Sequence, residues 1–96
     1  VDINPAAQAF AAAVSRLVAK GYQGRELYEQ LAADDELPAS FDTEEAAAIQ
    51  GITADSLKKQ RHRGVGPSFI RLPKAVRYPR PDLCQYLASR YVRRGT

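Results

Sequence analysis

The 96-residue sequence contains no methionine and no tryptophan, a single cysteine, Cys84, and a single histidine, His62. One cysteine excludes an intrachain disulfide framework and a cysteine-rich metal site, and it fits a reducing, cytoplasmic setting. One histidine, set among Lys and Arg and away from any carboxylate, leaves no HExxH zinc motif, no paired-acid arrangement and no Ser/His/Asp set. No catalytic centre, metal or cofactor is therefore expected. Long apolar runs are missing as well. The longest stretch, Ala6 to Ala19, is broken by Gln8, Ser15 and Arg16, too short and too polar for a membrane span or the apolar core of a signal peptide.

Carboxylates are scarce in one half of the chain only. Residues 1–50 hold nine acidic and three basic side chains, whereas residues 51–96 hold two acidic and eleven basic ones. The formal net charge of +3 hides this separation, which marks the second half as the part that meets a polyanion. A length of 96 residues allows one domain with a modest core, organised as an N-terminal segment, 1–40, and a C-terminal unit, 41–96.

The most informative stretch is Thr43 to Gly66. Thr43 before Glu44 and Glu45 reads as an N-cap with two carboxylates at the positive end of a helix dipole, so a helix is expected to begin near Glu44. Gly51 supplies the left-handed stop, and Thr53 is a fresh N-cap for a helix over 54–63. Two helices separated by so few residues cannot lie antiparallel and must cross steeply, the helix-turn-helix arrangement. In the second helix Leu57 is the one strong apolar residue. At about 100° per residue the far face carries Asp55, Ser56, Lys59, His62 and Arg63, with Lys58 on its flank. A helix of this kind suits the DNA major groove, where Lys and Arg meet phosphates and guanine edges. The bland alternative is a solvated surface helix.

Residues 5–20 read as a helix capped by Asn4, with Pro5 in its first turn and Phe10, Val14, Leu17 and Val18 at helical spacing. Gly21 ends it, and residues 24–33 form a second helix, so that the pair makes an α-hairpin. Its apolar face reads as core against the following unit or as an oligomer contact, and the two roles are compatible. The acidic run Asp34, Asp35 and Glu36 reads as solvated, within a junction over 34–41. After Gly64 the period changes from 3.6 to 2. Residues 69–72 and 75–78 form a β-hairpin around Pro73-Lys74, a wing with Lys74 at its tip and Arg71 and Arg77 on its strands. Such a wing reaches phosphates or the minor groove beside the recognition helix. Pro81 and Asp82 start a last helix in which Leu83, Tyr86 and Leu87, with Cys84 and Tyr91 beside them, form an apolar stripe. Arg90, Arg93 and Arg94 follow, suited equally to the helix dipole and to phosphate contact. The fold class expected is mainly α with a small β-hairpin, a winged helix-turn-helix preceded by an α-hairpin.

The ordered set Thr43-Glu44-Glu45-Ala46-Ala47, Gly51-Ile52-Thr53, Ser56-Leu57, Arg63-Gly64-Val65-Gly66-Pro67, Phe69-Ile70-Arg71-Leu72, Val76-Arg77-Tyr78 and Asp82-Leu83 resembles the excisionase-like winged helix-turn-helix family. That family comprises AlpA-type regulators and the excisionases, or recombination directionality factors, of phages and mobile elements, and is similar in shape to MerR-type DNA-binding domains. The resemblance covers about residues 41–92. It implies a bacterial or phage-encoded, nucleoid-associated protein without catalytic activity that binds and bends double-stranded DNA. Several copies would associate on an attachment site and direct an integrase toward excision. It places Thr53, Asp55, Ser56, Lys58, Lys59, Gln60, His62 and Arg63 on the recognition helix, and Arg71, Lys74 and Arg77 on the wing. Gln60 departs from the pattern, since the family often has a tryptophan there that packs between helix and wing; a glutamine is instead available to an adenine edge.

Tyr78, Tyr86 and Tyr91 raise tyrosine-recombinase chemistry, which needs a constellation of arginines and histidine in a much larger domain. The alternative to an excisionase is a small transcriptional regulator of the AlpA or MerR type acting at a promoter. A MerR-type sensor would carry a long coiled coil after the wing, and only about a dozen residues follow Asp82, which favours the excisionase. A third reading is an adaptor that binds a protein through the N-terminal hairpin.

Overall fold

A computed structural model describes residues 4–92. Its architecture is mainly helical with a small antiparallel sheet, in the order α1 (Pro5–Ala19), α2 (Gly24–Ala32), β1 (Ser40–Phe41), α3 (Thr43–Gln50), α4 (Ala54–His62), β2 (Ile70–Leu72), β3 (Ala75–Pro79) and α5 (Arg80–Arg90). Arg93 and Arg94 lie outside the described residues. No described helix is long and apolar enough to cross a membrane.

Local signals account for most boundaries. The Asn4 carboxamide oxygen accepts from the Ala6 and Ala7 amides, and Pro5 occupies a first-turn position where a missing N–H costs nothing. The start of α3 corrects the expected cap. Asp42, not Thr43, is the N-cap: its carboxylate accepts from the Glu45 amide at 2.7 Å while Glu45 accepts from the Asp42 amide at 2.9 Å. This reciprocal box satisfies two of the free amides of the first turn, which a threonine cap one residue later would leave open. Gly51 ends α3 at φ 76°, a left-handed turn that a Cβ would strain. Thr53 then caps α4 by accepting from the Ser56 amide.

The sheet is larger than the sequence pattern indicates. Strands β2 and β3 pair antiparallel across the two-residue turn Pro73-Lys74, with Leu72 opposite Ala75 and Ile70 opposite Arg77. Residues 40–41, expected within a junction, form β1 and pair with the far edge of β3, giving the order β1-β3-β2. The backbone of Phe41 thereby finds its partners in Tyr78, and both side chains are fully buried.

Two apolar clusters build the core, and both draw on the N-terminal helices. Ala6 of α1 packs with Phe41, Ala46, Ala47, Leu57, Tyr78 and Leu83. Phe10, Ala13 and Leu17 of α1 join Leu27, Leu31, Leu37 and Cys84 in the other. Helix α5 bridges them, Leu83 entering the first and Cys84 the second, while Leu87 touches both. Its most extensive helix partner is α2. The boundary near residue 40 thus does not separate two cores.

The junction over 34–41 is fastened by ion pairs and hydrogen bonds. Arg16 reaches Asp34 at 2.6 Å and Glu36 at 3.5 Å. Asp34 is therefore not solvated, its side chain being 8% exposed. That hydrogen bond holds its carboxyl below the ordinary aspartate range against the opposing pull of burial. The Arg80 guanidinium donates to the carbonyls of Ala32 and Leu37, closing the end of α2 onto the start of α5.

Candidate nucleic-acid interface

Helix α4 divides by its inner residue. Leu57 is buried, and the positions one turn on, Gln60 and Arg61, share its inward side and are half-buried. Outward are Asp55, Ser56, Lys58, Lys59, His62 and Arg63, all exposed, with Thr53 exposed at the cap. Among the described residues no carboxylate lies within ion-pair distance of Lys58, Lys59 or Arg63. These side chains keep their full charge available to an outside partner. Thr53 and Ser56 are partly committed: the Thr53 hydroxyl accepts from the Ser56 amide and donates to the Ser56 hydroxyl at 3.0 Å.

Gln60 is placed differently from a base-reading side chain. Its Oε1 is buried without a hydrogen-bond partner, and a Cβ added at Gly66 would stand 2.6 Å from it. The glutamine fills the angle between α4 and the loop that leads to β2. Gly66 adopts φ 89°, a left-handed conformation that a side chain would strain, and a Cβ there would also press on the end of Gln60. The signal for an inward Gln60 is its spacing, three residues after Leu57.

On the hairpin, Lys74 is exposed at the turn and Arg71 is exposed on β2, whereas Arg77 is turned back into the protein. Its Nε donates to the Ser40 hydroxyl and its terminal nitrogen to the Ser40 carbonyl, both at 3.0 Å. Arg77 thus fixes β1 against β3. Two aliphatic side chains, Ile70 and Leu72, also stand out from β2 at 50% and 46% exposure.

Arg61, which sequence reasoning passed over, ties α4 to α3 and β3. Its guanidinium donates to the Tyr78 hydroxyl at 2.9 Å and approaches the Thr43 hydroxyl at 3.4 Å, touching β3 and α3 at once. It also lies 5.7 Å from the centre of the Phe69 ring, and Arg71 lies 5.4 Å from the same ring. Phe69 in turn tilts against Tyr78 at 6.0 Å. The Tyr78 hydroxyl is engaged in this joint, within the buried core. Position 61, four residues after Leu57, is the spacing that would have marked it as inward.

Cys84 lies in the other cluster, fully buried, where desolvation pushes its thiol up to about 11. Comparison with protein-family models, with curated proteins and with solved structures finds no match to the chain.

Proposed function

We propose that the chain is a DNA-binding protein of the excisionase type, using a winged helix-turn-helix. In this reading α3 and α4 are the helix pair, α4 enters the major groove, and the β2–β3 hairpin is the wing on adjacent backbone. Copies bound side by side shape an attachment site so that an integrase carries out excision. The observation that carries the reading is the exposed, unpaired cation row of α4, linked through Arg61 and Phe69 to a hairpin that presents Arg71 and Lys74. A solvated surface helix would not need five cations without described carboxylate partners on two adjoining elements, since their mutual repulsion opposes folding. The resemblance of residues 41–92 to the excisionase-like family supports the same reading.

The test is a footprint with permuted-site bending assays on the attachment region and promoter of the element that encodes the protein. Tandem protection with bending at the attachment site is expected; protection of a promoter alone would make the protein a transcriptional regulator. Lys59→Ala is expected to weaken specific binding by about 1–3 kcal/mol, while Lys74→Ala weakens all duplexes alike and lowers the salt slope by about one unit. Equal effects of the two variants, independent of salt, would refute the division between base-reading helix and phosphate-reading hairpin.

A further inference from the structure

Between the end of α4 and the start of β2 lies an open cleft of about 290 Å³, lined by Arg61, Gly64, Gly66, Ser68 and Phe69 among others. Arg61 commits one terminal nitrogen to Tyr78 and Thr43; its Nε and second terminal nitrogen have no acceptor among the described residues. A guanidinium carries five N–H donors in a fixed fork, so the greater part of its bonding capacity remains free. Arg71 stands at the same phenyl ring, and no described carboxylate lies within ion-pair distance of either arginine. Two like charges gathered at one ring lie within about a Debye length at 0.1 M salt and repel each other unless an anion joins them.

The loop that lines the cleft adds free donors. Lys59, Gln60 and Arg61 carbonyls at the end of α4 are closed by the amides of Arg63, Gly64 and Val65, so these three acceptors are occupied. The amides of Gly66 and Ser68 find no acceptor among the described residues, and the Ser68 side chain is exposed beside them. The joint therefore gathers donors of two kinds, guanidinium and backbone amide, around a single buried acceptor, the Gln60 Oε1 packed against Gly66. Planar forks of this sort match the paired oxygens of a phosphodiester.

We propose that this cleft seats a backbone phosphate of duplex DNA on Arg61, with Arg71, outside the cleft lining but at the same Phe69 ring, as the second arm of a clamp between recognition helix and hairpin. The assignment rests on the DNA-binding reading and adds the place where α4 and the hairpin share a single anion. Arg61 then has two roles at once, bonding Tyr78 with one nitrogen and phosphate with the others.

The experiment follows the arginine Nε–H resonances of Arg61 and Arg71 in the full chain, at constant ionic strength, during titration with a mixed-sequence duplex of about 20 base pairs and separately with inorganic phosphate. The salt slope of duplex binding is measured in parallel for Arg71→Gln, which leaves the Arg61–Tyr78 bond in place, and for Arg61→Lys. The duplex is expected to shift both resonances, and Arg71→Gln to lower the slope by about one unit. Arg61→Lys is expected to keep the slope but weaken binding severalfold, because a point charge cannot bridge Tyr78 and a phosphate together. A duplex that binds with an unchanged slope in Arg71→Gln and leaves both resonances in place overturns the clamp while DNA binding stands. Shifts produced by inorganic phosphate without any duplex binding overturn both.

Discussion

Replacing Leu31 by alanine asks whether the N-terminal helices are an appendage of the C-terminal unit or part of its core. Leu31 is fully buried on α2, among Phe10, Ala13, Leu17, Leu27, Leu37 and Cys84. The neighbours come from α1, α2, the junction and α5, so the space vacated by the truncated side chain cannot be refilled by movement of one element alone. Leu-to-Ala changes at such sites cost 2–5 kcal/mol, and the several rigid walls here place the expected loss near 3 kcal/mol. A domain of this length has a stability of about 5–14 kcal/mol, so the loss is large but leaves a folded protein. It corresponds to a fall of roughly 15 °C in Tm. The discriminating assay is native-state hydrogen exchange. The Leu57 amide, bonded to the Thr53 carbonyl in α4, reports on the far cluster, and the Tyr22 amide, bonded to the Leu17 carbonyl, reports on the near one. With a core shared through α5, both should lose protection against global opening by the same amount. Wild-type protection at Leu57 together with a loss at Tyr22 would show two independent units and refute the reasoning.

Burial of Cys84 makes its thiol unreactive, and modification by a soluble disulfide reagent at pH 8 should proceed only at the rate of global opening; rapid labelling of the folded chain would refute the packing of α2 on α5. Asp34 has a depressed carboxyl, so its contribution to stability is present above the unfolded value of about 4 and is lost as pH falls through the lower folded value. Asp34→Asn should therefore be less stable near neutrality and show a flatter fall in stability below pH of about 4, measured by urea titration across pH. Gln60→Met removes the buried unpaired oxygen while keeping the side chain's length, and should stabilise the fold by roughly 1 kcal/mol in urea unfolding at an unchanged m value; destabilisation would mean that the oxygen is bonded.

Features written as punctuation were legible in the sequence. Gly51 and Thr53 separate α3 from α4 as residue types dictate, and the change to period 2 after Gly64 announces the hairpin around Pro73-Lys74. The cap of α3 was legible in principle. Asp42 and Thr43 are both capping residues, but Glu45 stands three residues after Asp42, the spacing of a capping box. Strand β1 was not legible, because two residues carry no period; it exists only by pairing with β3. Nor could spacing along the chain show that Arg77 would turn to Ser40, 37 positions away, or that Arg80 would close the end of α2. Long side chains choose partners in space, and identical residue types on one hairpin can serve the core or the solvent.

The separation of charge along the chain acquires a structural meaning once these partners are known. Among the acidic residues of the first half, Asp34 is held by Arg16 and Asp42 and Glu45 by the cap of α3, while Glu36 and Asp35 meet Arg16 and Arg80 from exposed positions, Asp35 at 3.8 Å. Of the second half's described cations, Arg80 and Arg77 are spent on holding α2, the junction and β1. What remains unpaired is confined to α4, the Phe69 joint and the hairpin tip, with Arg90 apart at the end of α5. The acidic half therefore acts on the positive field chiefly by supplying the helices that fix α4 and β3 in place, and not by neutralising it. Changing Glu44, which is exposed and outside these pairs, should leave that field intact, whereas loss of Arg16 or Arg80 would act through the scaffold. Charge asymmetry in a single small domain is thus a division of labour between side chains that hold the fold and side chains the fold holds outward.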